Sequence, residues 1–462
     1  MAMGRRKVER QSSLFIMADA LPKSAGHPFY RQLNALLKEA EFDRFVEDLC
    51  RPHYEQDERR GRPSLPPGVY FRMLLIGYFE GIDSQRGIAW RCADSLALRE
   101  FLGIPLHEST PEHSTLGYTR RRLPPEAFAD VFQFVLKLAA VKKLLSGKTV
   151  GVDSTTLEAN AAMKSIVRRD TGEDWQEYVT RLMREEGVIE PDEQPSDEDL
   201  RRFDKGRKDK NVSNEEWVSE TDPAARIAKM KDGRTHLAYK AEHVVDLATN
   251  IIVAAEIHPA NHGDAQTLVD SVMAAQVYLE QVDESLQIEE VVADKGYHAA
   301  ATIEHCDALE LRTYIPERAS KHHAKWTDKP ADYERCVTNN RRRVQRPKSK
   351  QLQRQRSELC ERTFAHVCDT GGMRRTWLRG LIDVGKRYLI AVAGHNLGQI
   401  MRKLFGIGKP RRLQDGALAA ALHSVLLHVL EWSCSFLTIT AAVNPRDRAL
   451  GSANHHGSCQ TA

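Results

Sequence analysis

The run Glu290-Val291-Val292-Ala293-Asp294-Lys295-Gly296-Tyr297 constrains the chain most. An apolar stretch this short, closed by an aspartate, a lysine and a glycine, has the length of a buried strand rather than of a helix. Asp294 therefore falls at a strand's C-terminal end. In open α/β sheets, ligands bind in the crevice outside those ends, so a carboxylate emerging there sits where chemistry can be done. The plainer alternative is that Asp294 caps the helix expected from about Ala299.

Two further carboxylates bear on that choice. Upstream, Lys148-Thr149-Val150-Gly151-Val152-Asp153 runs another short β-branched strand into an aspartate. Downstream, Glu358-Leu359-Cys360-Glu361-Arg362-Thr363-Phe364 stands at the head of a helical stretch. Two strand-end aspartates and a helix glutamate are the hard oxygen ligands that Mg²⁺ takes, usually with substrate phosphate completing its shell. Two such ions stabilise the attacking and leaving oxygens of an in-line phosphoryl transfer. The pattern points to phosphodiester chemistry.

Charge distribution agrees. The formal net charge of the 462 residues is only +3, but Arg341 to Arg356 holds eight Lys or Arg and no acid, whereas Asp170 to Asp199 holds twelve acids against two bases. The first block is a candidate phosphate-binding segment and the second a solvated insertion. The eight cysteines show no paired CxxC spacing, which fits reduced thiols rather than a disulfide framework or zinc ribbon. Arg5-Arg6-Lys7 precedes the patch Leu14-Phe15-Ile16-Met17, too short for a signal-peptide core, so a cytoplasmic protein is expected.

Along the chain, residues 1–27 read as a flexible N-terminus and 28–145 as an all-α domain. Gly61-Arg62-Pro63-Ser64-Leu65-Pro66-Pro67 is a breaker-rich linker, and the helix after it, Val69 to Phe79, is apolar nearly all round. Arg120, Arg121 and Arg122 are exposed arginines compatible with DNA backbone contacts, and equally with an ordinary helical domain that has a charged face. From 146 to 405 the pattern turns to α/β. It comprises the Asp153 strand, a polar insertion at about 168–222 that cannot supply a core of its own, and a hairpin turning at Thr249-Asn250. A helix from Asp264, the Asp294 strand, a helix from about Ala299 and a strand near Thr313-Tyr314-Ile315 follow. A basic loop at about 317–352 then leads to the helix with Glu361. This order matches a ribonuclease-H-like mixed sheet with helices on both faces, in which the first and fourth strands are neighbours. A helix is expected over 410–443, apolar but with His423, His428 and Glu431, hence buried or at an interface rather than membrane-spanning. Residues 444–462 read as a disordered tail.

In this order stand GRPSLPP, YFRMLLIGYFEGIDSQRGIAWR, DSLALREFLG, PEHSTL, GVDSTTLEANAAM, SIVRRDTG, KMKDGRTHLAYKAEHVVD, VVADKGYH, NRRR, ERTFAH and GGMRRTWLRG. With them the chain resembles the DDE-type transposases of bacterial insertion sequences, from near Arg5 to near Leu413. Each string is weak, but their collinearity is strong. The resemblance implies that Asp153, Asp294 and Glu361 are the catalytic carboxylates and hold two Mg²⁺ or Mn²⁺ ions. Glu358, on the same helical face, is the rival to Glu361, and the ERTF match sets the register on the latter. Cys368 stands about where related families carry a lysine, for which His366 or Arg375 would substitute. Lys295, Arg341, Arg342, Arg343, Arg356 and Arg362 would contact DNA phosphates, as would Arg120, Arg121 and Arg122. The implied partners are double-stranded DNA, as terminal inverted repeats and target, and a second copy of the chain at the nucleoid. A metal-dependent nuclease or integrase of the same fold, and a DNA-binding relic without catalysis, are the alternatives.

Overall fold

Among the residues described by the computed structural model (27–54, 64–208, 212–230, 233–319 and 326–411), helices come first. They are α1 (Pro28–Glu39), α2 (Phe42–Cys50), α3 (Pro67–Glu80), α4 (Gln85–Asp94), α5 (Leu96–Leu102), α6 (His113–Arg122) and α7 (Pro125–Val141). Pro67 opens α3, where its missing N–H costs nothing, and Gly81 closes it at φ 70°. Between them the helix is buried from Tyr70 through Phe79, as an apolar surface on every side requires. Its one cation, Arg72, is held by both oxygens of Asp43, at 2.9 and 2.8 Å, and by Asn34.

The α/β part then runs β1 (Thr149–Glu158), β2 (Ile166–Arg168), α8 (Trp175–Glu185), α9 (Asp197–Gly206), β3 (Trp217–Ser219), β4 (Arg226–Lys229), β5 (Thr235–Asp246), β6 (Ile252–Pro259) and α10 (Asp264–Val282). After these come β7 (Glu290–Val292), α11 (Ala300–Ala308), β8 (Arg312–Tyr314), α12 (Ala331–Val344), α13 (Pro347–Phe364) and α14 (Leu381–Phe405). The large sheet has the order β4–β5–β1–β7–β8, and β6 lies beside β4 along the far edge of β5. β5 is antiparallel to β1, β4 and β6, whereas β1, β7 and β8 are mutually parallel, so the sheet is mixed. The hairpin turns where expected, with Asn250 at φ 63°. Asp246, fully buried, accepts from the backbone N–H of Ser146 and Gly147 and so fixes the entry to β1.

Side-chain alternation assigns the two faces. Val150, Val152, Val244, Val291 and Ala293 point to a core shared with Leu268, Val272, Ala275 and Leu279 of α10, Ile303 of α11, and Cys336 and Val337 of α12. Each Val, Leu or Ile side chain among them contributes about 1.5–3 kcal/mol of burial. On the opposite face Val292, Leu247 and Tyr314 meet Leu352 of α13. α14 packs on β6 from that side and on α3 and α7 from the other. There Lys386 donates to the carbonyls of Arg120 and Leu123, and Arg387 to those of Leu74 and Ile82.

Two expectations are corrected. The acidic insertion does gather a small core, Val179, Met183 and Leu200 under Trp175, Tyr178, Ile189 and Phe203, because α8 and α9 present their few apolar residues to each other. The segment expected as a basic loop over 317–352 contains α12 and the start of α13. Cys336, Val337 and Asn340 form a buried stripe on α12, and Asn340 bonds both the N–H and the carbonyl of Ile315. Except for His27, Pro410 and Arg411, the expected flexible terminus, the helix over 410–443 and the tail lie outside the described residues. No helix among the described residues is long and apolar enough to cross a membrane.

Candidate active site

β1 and β7 pair with Thr149 opposite Glu290, Val150 opposite Val291 and Gly151 opposite Val292. There β7 stops, while β1 continues to Glu158 because β5 accompanies it on the other edge. Asp153 thus lies within its strand rather than at its end. The opening is made by the shorter neighbour. Two residues beyond the last pair stand Asp153 and Asp294, on the same face as Gly151 and Val292 by alternation.

α13 crosses that face. Gly151 permits the approach, since a Cβ there would meet Leu247 Cδ2 at 2.7 Å, Arg356 Cγ at 3.0 Å and Cys360 Sγ at 3.3 Å. Gln353 Nε2 donates to the carbonyls of Ala293 (3.0 Å) and Tyr314 (2.7 Å), the ends of β7 and β8. Arg356 Nη1 donates to Asp153 Oδ2 at 3.0 Å. Thr363 is bonded to His243 Nδ1 at 2.9 Å, and Tyr388 of α14 to His243 Nε2 at 2.8 Å, with Phe364 stacked on the imidazole. His243 is the cross-strand partner of Asp153. Burial holds the Asp153 carboxyl above the usual carboxylate range; Arg356 opposes this, and the nearby charges of Asp294 and Asp264 add to it.

Glu361 is in the last turn of α13, not at its head, because the helix begins as early as Pro347. It is exposed and accepts from Ser357 Oγ at 3.0 Å. Glu358 is ion-paired with Arg362. A single π-helical turn, Ala365–Asp369, follows, carrying His366 and the buried Cys368. Arg375 pairs with Glu158 at 3.6 Å.

Sequence reasoning passed over Asp264, at the first position of α10. Its Oδ1 accepts from Ser154 Oγ at 2.9 Å and lies 2.9 Å from Lys240 Nζ. Gly296 lets two carboxylates close in: a Cβ there would stand 2.6 Å from Asp264 Oδ2 and 2.8 Å from Asp294 Oδ1, which accepts the Gly296 N–H at 2.7 Å. Behind Asp264, Lys240 donates to Thr267 (2.8 Å), and Glu242 accepts from Thr267 (2.6 Å) and Tyr297 (3.1 Å). Burial pushes Glu242 up to about 7. An acid at a helix start looks like any dipole-favouring residue. Lys240 and Glu242, alternating charges inside an otherwise apolar strand, were the readable signal.

The donor chemistry suits a divalent cation at Asp153 and Asp294, whose adjacent hard oxygens crowd negative charge that such an ion offsets. Among the described residues no group of three His, Cys, Asp or Glu stands close enough to hold a metal, so Glu361 is not gathered with the two aspartates.

Of the cations expected to face DNA, Lys295 is exposed beside Asp294 and Arg342 is exposed on α12. Arg341 pairs with Glu317 at 2.8 Å. Arg343 turns inward to the carbonyl and hydroxyl of Thr313. Arg120 is largely buried against Asp383, while Arg121 and Arg122 lie over the rings of Tyr118 and Tyr54.

Comparison with known proteins finds two family models. A transposase domain (DUF772) matches residues 17–122, and a transposase DDE domain matches 202–397, which includes Asp294 and Glu361 but begins after Asp153. No curated protein and no solved structure matches. Two transposase models, collinear over most of the chain, leave one assignment: it belongs to the DDE-type transposases of insertion elements.

Proposed function

We propose that this transposase binds the terminal inverted repeats of its element and cuts and rejoins DNA there, on a ribonuclease-H-like fold, with Asp153, Asp294 and Glu361 as catalytic carboxylates. The observation that carries the reading is the parallel register of β1 and β7, which sets Asp153 beside Asp294 under a helix bearing Glu361. Three antiparallel strands (β6, β5, β1) continued by two parallel ones support the fold assignment.

Asp153 and Asp294 would hold Mg²⁺ or Mn²⁺, which when bound supplies an acidified water or 3′-hydroxyl and offsets charge on the departing oxygen, and Glu361, exposed on α13, is the third carboxylate that this reading calls for. Arg356 neutralises Asp153 in the free protein and presents the same cation to a scissile phosphate. Lys295 and Arg362 flank the notch and neutralise neighbouring phosphates. Gln353 and Thr363 hold α13, the helix that bears Glu361, to the sheet. The helical N-terminal part, with Arg121 and Arg122, recognises the element's ends, and cutting two ends together calls for a homodimer on DNA in the bacterial cytoplasm.

The test is cleavage and strand transfer of DNA carrying the element's ends in Mg²⁺ by wild type and by Asp294→Ala, Glu361→Ala and Glu358→Ala. Loss with the first two and retention with the third is expected. Loss with Glu358→Ala and retention with Glu361→Ala would move the glutamate. Cutting by wild type without joining would make the protein a nuclease.

A further inference from the structure

At the edge of the sheet, away from the notch, a cavity of about 460 Å³ opens between β8, α12 and α13, lined by Arg312, Arg342, Arg343, Arg346, Lys348 and Glu290 among others. Five of these side chains are basic and one is acidic. Glu290 is already satisfied by Lys348, Thr149 and Tyr314. Arg343 is spent on Thr313. Arg312, Arg342 and Arg346 are exposed, and none of their guanidinium groups has a hydrogen-bond or ion-pair partner among the described residues.

Helix electrostatics account for only part of this. Arg341, Arg342 and Arg343 sit in the last turn of α12, where cations are favoured. Arg346 and Lys348 do the opposite: they bracket Pro347 at the start of the 18-residue α13, whose first turn holds no acid and whose N-terminus has no side-chain cap. Cations at the positive end of a helix dipole are unfavourable unless an anion joins them. Arg312, from the outermost strand of the large sheet, brings a further positive charge to the same cavity.

We propose that this cavity is a second DNA-backbone site of the transposase, in which Arg312, Arg342 and Arg346 together with the N-terminus of α13 hold a phosphodiester group. The inference rests on the reading of the chain as a DNA-acting enzyme and adds where the flank of the bound DNA runs. Glu290, paired with Arg312 in the sheet, is four residues before Asp294, so the cavity lies about 13 Å from the notch along β7. A duplex held at the notch reaches that far within a few base pairs, each adding about 3.4 Å.

The experiment measures binding of a labelled duplex of about 30 base pairs to the full chain in EDTA, as a function of salt. The triple variant Arg312→Ala/Arg342→Ala/Arg346→Ala should lower the slope of log K against log salt by about 0.9 for each phosphate it no longer neutralises, with a severalfold weaker affinity near 0.15 M salt. Its melting temperature should stay at the wild-type value. Arg342→Gln/Arg346→Gln, which removes two exposed and unbonded charges, should move in the same direction, and Arg201→Ala/Arg202→Ala in α9 should change nothing. An unchanged slope in both cavity variants overturns the proposal. So does a site for free phosphate, which would show as sodium phosphate or ATP stabilising wild type but not the triple variant against heat while duplex binding stays equal. Wild-type protein that bound no duplex at all would instead remove the reading underneath.

Discussion

The two faces of the large sheet are held by different means. Under α10 and α11 the contact is aliphatic, Val150 and Val152 against Leu268, Val272 and Leu279, with one enclosed polar knot of Lys240, Glu242 and Thr267. Under α13 the contact is sparse, and the helix is fastened at points: Gln353 to two strand-end carbonyls, Arg356 to Asp153, Thr363 to His243. Aliphatic burial gives stability without leaving functional groups open. Point fastening leaves the carboxylates between the bonds within reach of a ligand, at the cost of cohesion.

That contrast can be broken at several strengths. The largest effect belongs to the open face: Asp294→Ala is expected to cut the cleavage rate on the order of a thousandfold, about 4 kcal/mol of barrier, with an unchanged urea midpoint. On the aliphatic face Leu268→Ala should do the reverse, destabilising by about 3 kcal/mol in urea titration while each folded molecule cuts at the wild-type rate. Gly151→Val attacks the seam itself, since its side chain meets Leu247 and Arg356. A loss of about 2 kcal/mol together with a slower cut is expected. The remaining effect is on pH. Burial holds His243 at about 3, below the value of about 6.5 in an unfolded chain, so the folded form resists protonation. Its contribution to stability is complete above about pH 6.5 and is lost as pH falls toward 3, by up to about 1.4 kcal/mol per unit. Urea midpoints at pH 7 and pH 5 should therefore converge in His243→Gln.

The sheet was legible where apolar runs were short and bounded. The Asp294 strand, the hairpin around Asn250 and the helix from Asp264 all appear, and β1 and β7 are neighbours. α12 was hidden because its arginines outnumber the stripe of Cys336, Val337 and Asn340 that buries it. Placing Asp153 at a strand end failed for a different reason. How far β1 runs is decided by its partner β5, and no local pattern in residues 149–158 records a neighbour's length. Asp264 and Arg346 share that difficulty: each gains meaning only from what the fold sets beside it, a second carboxylate in one case and unpaired arginines in the other.

Lys386 and Arg387 donate to carbonyls at positions 120, 123, 74 and 82, as many as 313 residues earlier. On the ribosome, then, the N-terminal helices emerge long before the side chains that finish their ends. A polypeptide released before α14 would leave the apolar sides of α3, α7 and β6 bare. Such fragments are aggregation-prone and would be cleared rather than persist.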